Sequence, residues 1–157
     1  MNRLPITIAP LEAGSPEVRI TAQWRHEAFL KEDGFSIADS EAQLTQLATA
    51  PEAYETALIA RLGDKVAGIC LLVLHELDGY HDHSPWLASL YVAPEFRGQN
   101  VARELVRAIE DHAHRAGVER LYLYTVDADG FYLKCGWRVA ERFTSHGTPL
   151  MLMIRDL

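Results

Sequence analysis

The sequence is poor in cysteine and has no long apolar segment. Its 157 residues include only two cysteines, Cys70 and Cys135, whose spacing fits neither a zinc site nor a disulfide framework. No apolar run approaches the roughly 18–20 residues that a membrane-spanning helix needs, and the first residues lack the apolar core of a secretory signal. We therefore expect a cytoplasmic protein with reduced thiols and no membrane partner.

Basic residues are fewer than acidic residues. Fifteen Lys and Arg against 22 Asp and Glu give a formal net charge of −7. Proteins that bind nucleic acid usually carry a basic surface, so we expect no nucleic-acid partner. An acidic cleft concentrates positively charged ligands, and the balance of charge is therefore compatible with an amine substrate.

The order of the predicted elements favours one mixed α/β domain over residues 1–157, because no linker or repeat divides the chain. Apolar periodicity and turn residues predict strands at 7–9, 56–62, 66–76, 86–92, 120–125, 137–144 and 149–154, and helices at 17–31, 41–50, 101–116 and 128–135. The strand–helix–strand unit over 86–125 predicts two parallel neighbours. The order β-α-α-β-β-β-α-β-α-β-β thus predicts a mixed, mostly antiparallel central sheet with flanking helices.

The stretch around Gly98 predicts a site for a phosphate group. A buried strand, a break at Pro94 and a loop around Gly98 lead directly into an amphipathic helix that begins at Val101. The first backbone N–H groups of such a helix are unpaired, and they point at one spot together with the positive end of the helix dipole. The loop lacks both the G-x-x-x-x-G-K-S/T pattern of nucleotide P-loops and the G-x-G-x-x-G pattern of dinucleotide sites.

This loop resembles the acetyl-CoA loop of the GNAT superfamily of N-acetyltransferases, whose pattern is Q/R-x-x-G-x-G/A. Arg97 and Ala102 match its ends, and Asn100 stands at the central glycine. Asn tolerates the left-handed region better than other non-glycine residues, so we expect the loop to keep its shape. The resemblance implies acetyl-CoA as cosubstrate and no metal. It assigns to the cofactor loop Arg97, Gly98, Gln99, Asn100, Val101, Ala102 and Arg103.

A later segment resembles the family pattern N-x-x-A-x-x-x-Y-x-x-x-G-F. Ala128, Tyr132, Gly136 and Trp137 match it in register, and Thr125 replaces the first asparagine. The resemblance implies that the Tyr132 hydroxyl lies near the sulfur of acetyl-CoA and protonates the departing thiolate. A phenol suits that role because it is protonated at neutral pH. The same match implies that Thr125 contacts the cofactor. For Tyr132, the alternative to a catalytic role is that its ring only packs in an aromatic core.

The resemblance also implies how the cofactor meets the sheet. Strand 86–92 is expected to separate from strand 120–125 and to offer backbone groups of Leu90, Tyr91 and Val92 to the pantetheine arm, as an additional strand. A free N–H group there can polarise the thioester carbonyl. The cofactor-binding residues are therefore expected on this strand as well as on the loop that follows it.

The general base is not identified by the sequence. Many relatives carry a glutamate on the strand that corresponds to 86–92, and this strand has none. The candidates are Glu27, Asp82 and His83, or a chain of waters with no single base. His and acidic residues also crowd segment 75–83, where a metal site is a weaker alternative because its spacing defines no clear third ligand.

These observations predict an acetyl-CoA-dependent N-acetyltransferase. We expect an amine to attack the thioester directly, without a covalent enzyme intermediate. A small-molecule primary amine is favoured over a histone because the chain is short and acidic, and a peptide N-terminus and an antibiotic amine stay open as acceptors. The alternative is a non-catalytic CoA-binding or ligand-sensing module on the same fold. The sequence does not determine the oligomeric state, and a homodimer stays open.

Overall fold

The fold is built on one seven-stranded sheet. The structure, a computed structural model, describes residues 4–157. The strands are β1 (Ile6–Pro10), β2 (Thr56–Leu62), β3 (Lys65–Val73), β4 (Trp86–Val92), β5 (Arg120–Thr125), β6 (Arg138–Ser145) and β7 (Thr148–Asp156). They lie in the order β1-β2-β3-β4-β5-β7-β6. Only β4 and β5 pair in parallel, which confirms the predicted mixed and mostly antiparallel sheet.

Four α-helices cover the two faces of this sheet: α1 (Pro16–Arg25), α2 (Ile37–Thr49), α3 (Val101–Arg115) and α4 (Asp129–Lys134). Side chains of α1 and α2 share one apolar core with the sheet, and side chains of α3 and α4 share the other. Buried strands contribute to both cores because successive side chains point to opposite faces. The order of elements is the predicted one, and no helix within residues 4–157 combines the length and apolarity that crossing a membrane requires.

The predicted first helix, 17–31, is not a continuous α-helix. It leaves α geometry after α1, continues as a π-helical turn (His26–Leu30) and a 3-10 turn (Lys31–Asp33), and ends at Gly34 with φ 84°. Segments of 5 and 3 residues are too short for their apolar spacing to distinguish these hydrogen-bonding patterns. The change matters for function because it turns Phe29 and its neighbours toward the site described below.

The predicted start of the second helix, with Ser40 as its N-cap, is wrong. The helix begins four residues earlier, where Ser36 and Asp39 form a capping box. Ser36 Oγ accepts a hydrogen bond from the Asp39 N–H at 3.0 Å, and Asp39 Oδ2 accepts one from the Ser36 N–H at 2.8 Å. Ser40 is buried inside the helix. The sequence pattern does not choose between these caps, because Ser40 and Gln43 also have the spacing of a capping box.

Strand β3 is shorter than predicted, because it ends at Val73 instead of residue 76. Glu76 is therefore part of the loop between β3 and β4 and not of the ladder. By contrast, the bounds of β2, β4 and β5 are those that the sequence predicts, and the bounds of the remaining strands, α3 and α4 shift by one or two residues.

Candidate functional site

The sheet opens between β4 and β5. One residue pair, Trp86 and Tyr122, joins the two strands, and the Tyr122 N–H also donates to the Pro85 carbonyl at 3.1 Å. Within the described chain, the strands have no pairing beyond this point. One edge of β4 therefore presents backbone groups without a strand partner, as a ligand that adds a strand would require.

A β-bulge shapes β4 beside this opening. Ile69 of β3 pairs with Tyr91 and Leu71 pairs with Ala88, so one residue of β3 faces two residues of β4. Ser89, inside the bulge, has φ 53°. A bulge bends its strand and re-aims the neighbouring side chains, and this one lies where β4 leaves β5.

A cavity of about 820 Å³ occupies the opening. Helix α1 and the turn after it contribute Arg25 and Phe29 from one face of the sheet, whereas α4 contributes Tyr132 from the other face. Leu90 of β4 and Thr125 of β5 lie between them. The cavity thus reaches both faces of the sheet through the gap between the strands, and two molecules can meet there from opposite sides.

Arg25 holds the elements on one side of this cavity together. It is 3% exposed, and its guanidinium donates to Ser89 Oγ at 3.1 Å, Ser40 Oγ at 3.2 Å and Gln43 Oε1 at 2.8 Å. Burial lowers the pKa of Arg25 to about 10, while nearby Glu76 opposes the shift. The side chain therefore stays cationic at neutral pH and ties α1 to α2 and to the bulge of β4.

We expect Arg25→Lys to reduce the free energy of unfolding by about 2–3 kcal/mol, because the compact ammonium group cannot span the three acceptors that three separate guanidinium nitrogens reach. Arg19→Lys is the matched control, since the Arg19 side chain lies on the same helix and is 69% exposed. The control should change stability by less than about 0.5 kcal/mol. Urea unfolding checks both variants, and equal effects would contradict an anchoring role for Arg25.

Glu76 is a carboxyl group of this cavity that the sequence did not single out as a base. Glu76 is exposed to solvent as a residue, while its carboxyl group is partly desolvated where it lines the cavity with Arg25 and Tyr124. Burial raises the pKa of Glu76 to about 7, although Arg25 and the Tyr124 phenol both lower it. At neutral pH, both protonation states are therefore populated, which suits a general base. Only the folded chain reveals this position, because β3 stops before it.

The three base candidates from the sequence lie elsewhere. None of Glu27, Asp82 and His83 lines the cavity. The Glu27 side chain is 68% exposed and pairs with Lys31 at 3.2 Å. The His83 ring packs against Tyr122, with ring centroids 4.7 Å apart. Among residues 4–157, no group of three His, Cys, Asp or Glu side chains is arranged to hold a metal ion.

Tyr132 is both a core residue and a cavity residue. Its ring packs against Phe131 and Trp137, with centroids 5.1 Å and 6.0 Å apart, and it lines the cavity. Burial raises the pKa of Tyr132 well above its ordinary value of 10.0, so the phenol stays protonated. In the part of the chain that the structure describes, its hydroxyl makes no hydrogen bond to protein, which leaves it available to a ligand.

The loop before α3 has the backbone that the sequence predicts. Gly98 and Asn100 have φ 78° and 74°, so Asn100 takes the left-handed conformation expected at the position of the family's glycine. The first helical bond runs from the Glu104 N–H to the Asn100 carbonyl at 3.1 Å. The three N–H groups from Val101 to Arg103 precede it and have no helical acceptor. They form an anion-binding helix start that is compatible with a pyrophosphate.

Two arginines near the start of α3 bond to backbone carbonyls of the protein. Arg97 Nε donates to the Val92 carbonyl at 2.9 Å, and its guanidinium lies 5.6 Å from the centre of the Tyr91 ring. Arg103 reaches the carbonyl of Lys134 at 3.2 Å, at the end of α4. Of the predicted cofactor residues, Leu90 and Thr125 line the large cavity with Tyr132, and Gln99 and Asn100 border a separate recess of about 230 Å³.

We expect Asn100→Ala to cost about 1–2 kcal/mol of stability and to weaken acetyl-CoA binding, because alanine disfavours the left-handed conformation. Asn100→Gly should keep stability within about 0.5 kcal/mol of the parent, since glycine adopts this conformation freely. Thermal unfolding and calorimetric titration with acetyl-CoA measure both effects. If alanine and glycine behaved alike, the backbone conformation of this residue would not be what matters.

Comparisons with known proteins agree with this geometry. A family model described as the acetyltransferase (GNAT) family matches residues 19–137. An aminoglycoside 6'-N-acetyltransferase complexed with coenzyme A has a TM-score of 0.74 at 15% identity, over 96% of both chains. A putative acetyltransferase from Salmonella typhimurium with acetyl-CoA has a TM-score of 0.74 at 16% identity, over 96% of this chain and 93% of that one.

A putative N-acetyltransferase from Lactobacillus plantarum has a TM-score of 0.64 at 25% identity, over 99% of both chains. No curated protein matches the sequence significantly. At such low identities, the similarity of structure establishes the fold, while the family model covers most of the chain at the level of sequence. The acceptor must therefore be inferred from the residues of the cavity itself.

Proposed function

Because this chain belongs to the GNAT acetyltransferase family, we propose that it transfers the acetyl group of acetyl-CoA to a primary amine of a small molecule. The observation that carries the proposal is the cavity that reaches both faces of the sheet, with Tyr132 on one side and Glu76 on the other. A transfer between two bound molecules needs such a passage, because the reacting atoms must come within bonding distance.

The residues on the α3 and α4 side fit acetyl-CoA. The unpaired N–H groups of Val101, Ala102 and Arg103 suit its pyrophosphate, and the open edge of β4 at Leu90, Tyr91 and Val92 suits its amide-bearing pantetheine arm. These observations support binding of acetyl-CoA, which when bound supplies an activated acetyl thioester.

Two side chains would move the protons of the reaction. A primary amine has an ordinary pKa near 10 and arrives as an ammonium ion. We propose that the ionised Glu76 carboxylate takes a proton from that ammonium, which frees its lone pair for attack. When the C–N bond has formed and the C–S bond breaks, the Tyr132 hydroxyl would donate its proton to the departing sulfur. The second proton that the nitrogen loses as the amide forms would return to the Tyr132 phenolate through water, and Glu76 would release its proton to solvent. Neither step requires a covalent enzyme intermediate.

The acidic lining supports a cationic acceptor. Asp33, Asp39 and Glu76 line the same side of the cavity as Arg25, and the Arg25 donors are directed to the neutral acceptors Ser40, Gln43 and Ser89. A cleft with more carboxylates than cations raises the local concentration of amines. It also disfavours an acceptor whose only charged group is negative.

The purified chain should release CoA from acetyl-CoA only when a suitable amine is present. Thiol release and mass spectrometry of the acetylated product measure this directly. If calorimetry found no binding of acetyl-CoA, the proposal would be wrong. Tight binding of acetyl-CoA with no product across a broad panel of amines would instead support the non-catalytic CoA-binding or sensing module.

We further propose that residues 1–157 act as one domain, because β1 and β7 belong to the same sheet although they lie near opposite ends of the sequence. A cytoplasmic location and the lack of nucleic-acid and membrane partners stay predictions from composition. Light scattering distinguishes a monomer from the homodimer that the sequence leaves open.

A further inference from the structure

The cavity has an apolar rim on the side of α1. In residues 4–157, seven large apolar or aromatic side chains are exposed. Four of the seven line this one cavity: Phe29, Phe35, Tyr124 and Val126. Exposed apolar side chains that concentrate around a concave site mark a surface for a ligand.

The position of the two phenylalanines follows from the irregular end of the first helix. Phe29 belongs to the π-helical turn, and Phe35 follows Gly34, which has φ 84°. The Phe35 N–H donates to the Leu30 carbonyl at 3.3 Å, which closes this turn back on itself. The segment thereby presents both rings at the cavity, where they are 44% and 51% exposed.

Carboxylates lie next to these rings. Asp33 and Glu76 line the cavity, and both act on the Tyr124 phenol, whose pKa burial and these two charges raise to about 12. The two carboxylates and the Tyr124 ring line the same cavity. Asp39, by contrast, already accepts the Ser36 N–H of the capping box.

We propose, building on the proposed function, that the acceptor is a primary amine carried on an aromatic or similarly bulky apolar body. Its ammonium group would face Glu76 and Asp33, while the apolar body would pack on Phe29, Phe35 and Tyr124. Aromatic faces attract a neighbouring cation in addition to burying apolar surface. A polyhydroxylated amine would leave many hydroxyl groups against this rim without partners, which is costly.

The test measures how fast the purified chain acetylates amines that differ in the group attached to nitrogen, with acetyl-CoA as donor. The panel is 2-phenylethylamine, n-butylamine, spermidine and kanamycin. We expect kcat/KM for 2-phenylethylamine to exceed that for n-butylamine by about 10-fold, since the phenyl ring buries additional apolar surface. Spermidine and kanamycin should be poorer acceptors than 2-phenylethylamine.

Variants of the rim test the contact itself. Phe29→Ala and Phe35→Ala should each lower kcat/KM for 2-phenylethylamine by about 5-fold, mainly through KM, and lower kcat/KM for n-butylamine by a smaller factor, because its alkyl chain buries less apolar surface on the rim. Ile20→Ala is the matched control, because Ile20 is an exposed apolar residue of α1, 39% exposed, that does not line the cavity. It should leave both amines unaffected.

The results separate this inference from the proposed function. Faster turnover of spermidine or kanamycin, or equal losses for all amines in the phenylalanine variants, would overturn the apolar acceptor while leaving acetyl transfer intact. If no amine released CoA, acetyl transfer itself would fail. In that case, saturation-transfer NMR of 2-phenylethylamine with the CoA complex tests the apolar rim by itself. Binding that Phe29→Ala and Phe35→Ala weaken would support the rim as the acceptor surface. Absence of binding would overturn it.

Discussion

Replacing Glu76 by glutamine is expected to lower kcat/KM for amine acetylation by about 100-fold at neutral pH, which is the usual contribution of a general base. Glutamine keeps the size of the side chain and cannot accept a proton. In the parent protein, kcat/KM should rise with pH through about 7, because only the ionised carboxylate is a base and burial raises its pKa to about 7. The variant should lose this limb of the pH profile.

Glu27→Gln is the matched control for this experiment. Glu27 is an exposed glutamate that pairs with Lys31 and does not line the cavity. Its replacement should change kcat/KM by less than about twofold at any pH. Full activity of Glu76→Gln with an unchanged pH profile would transfer the role of base to a chain of waters.

The same variant has a separate expected effect on stability. The pKa of Glu76 is raised from its ordinary 4.5 to about 7 on folding, so the folded state binds its proton more tightly. The ionised carboxylate therefore destabilises the fold increasingly as pH rises from 4.5 to 7. Because water reaches the group, we expect Glu76→Gln to add only about 1 kcal/mol of stability at about pH 8, and none near pH 4. Urea unfolding at both pH values measures this difference.

The second large effect is expected from Tyr132→Phe, which should reduce kcat by about 100-fold because it removes the proton donor to the departing sulfur. The fold should tolerate the change, since phenylalanine keeps the ring packing against Phe131 and Trp137. Steady-state kinetics measure kcat, thermal unfolding measures stability, and calorimetric titration measures the affinity for acetyl-CoA. A loss confined to kcat, with stability and affinity retained, identifies a chemical role.

Tyr122→Phe provides the control for a tyrosine outside the cavity. Tyr122 lies on β5 and packs with His83 and Trp86, so its hydroxyl should be dispensable for turnover. If Tyr132→Phe kept full kcat at every pH, Tyr132 would be a packing residue alone. Equal losses in both variants would indicate a general disturbance of the sheet and not a missing proton donor.

Much of the fold was predictable because its signals are local. Apolar periodicity and turn residues determine the order of elements, and the predicted bounds of β2, β4 and β5 coincide with the observed ones. The left-handed conformation of Asn100 was also predictable, because it depends on the loop before α3 alone. The turn after α1 was not, since its π-helical and 3-10 parts are only 5 and 3 residues long and are too short to show a period of their own.

In the candidate site, too, the features with local sequence signals were predictable and those that depend on distant residues were not. By itself, the sequence determined the family resemblance, and it predicted the phosphate loop and the role of Tyr132, because each is a contiguous pattern whose residues lie near one another in the chain. Only the tertiary structure decided that Glu76, Arg25 and Tyr124 meet in one cavity with Phe29 and Phe35. These residues come from separate elements, and the distances and desolvation that give them their chemistry exist only once the sheet has formed and has opened between β4 and β5.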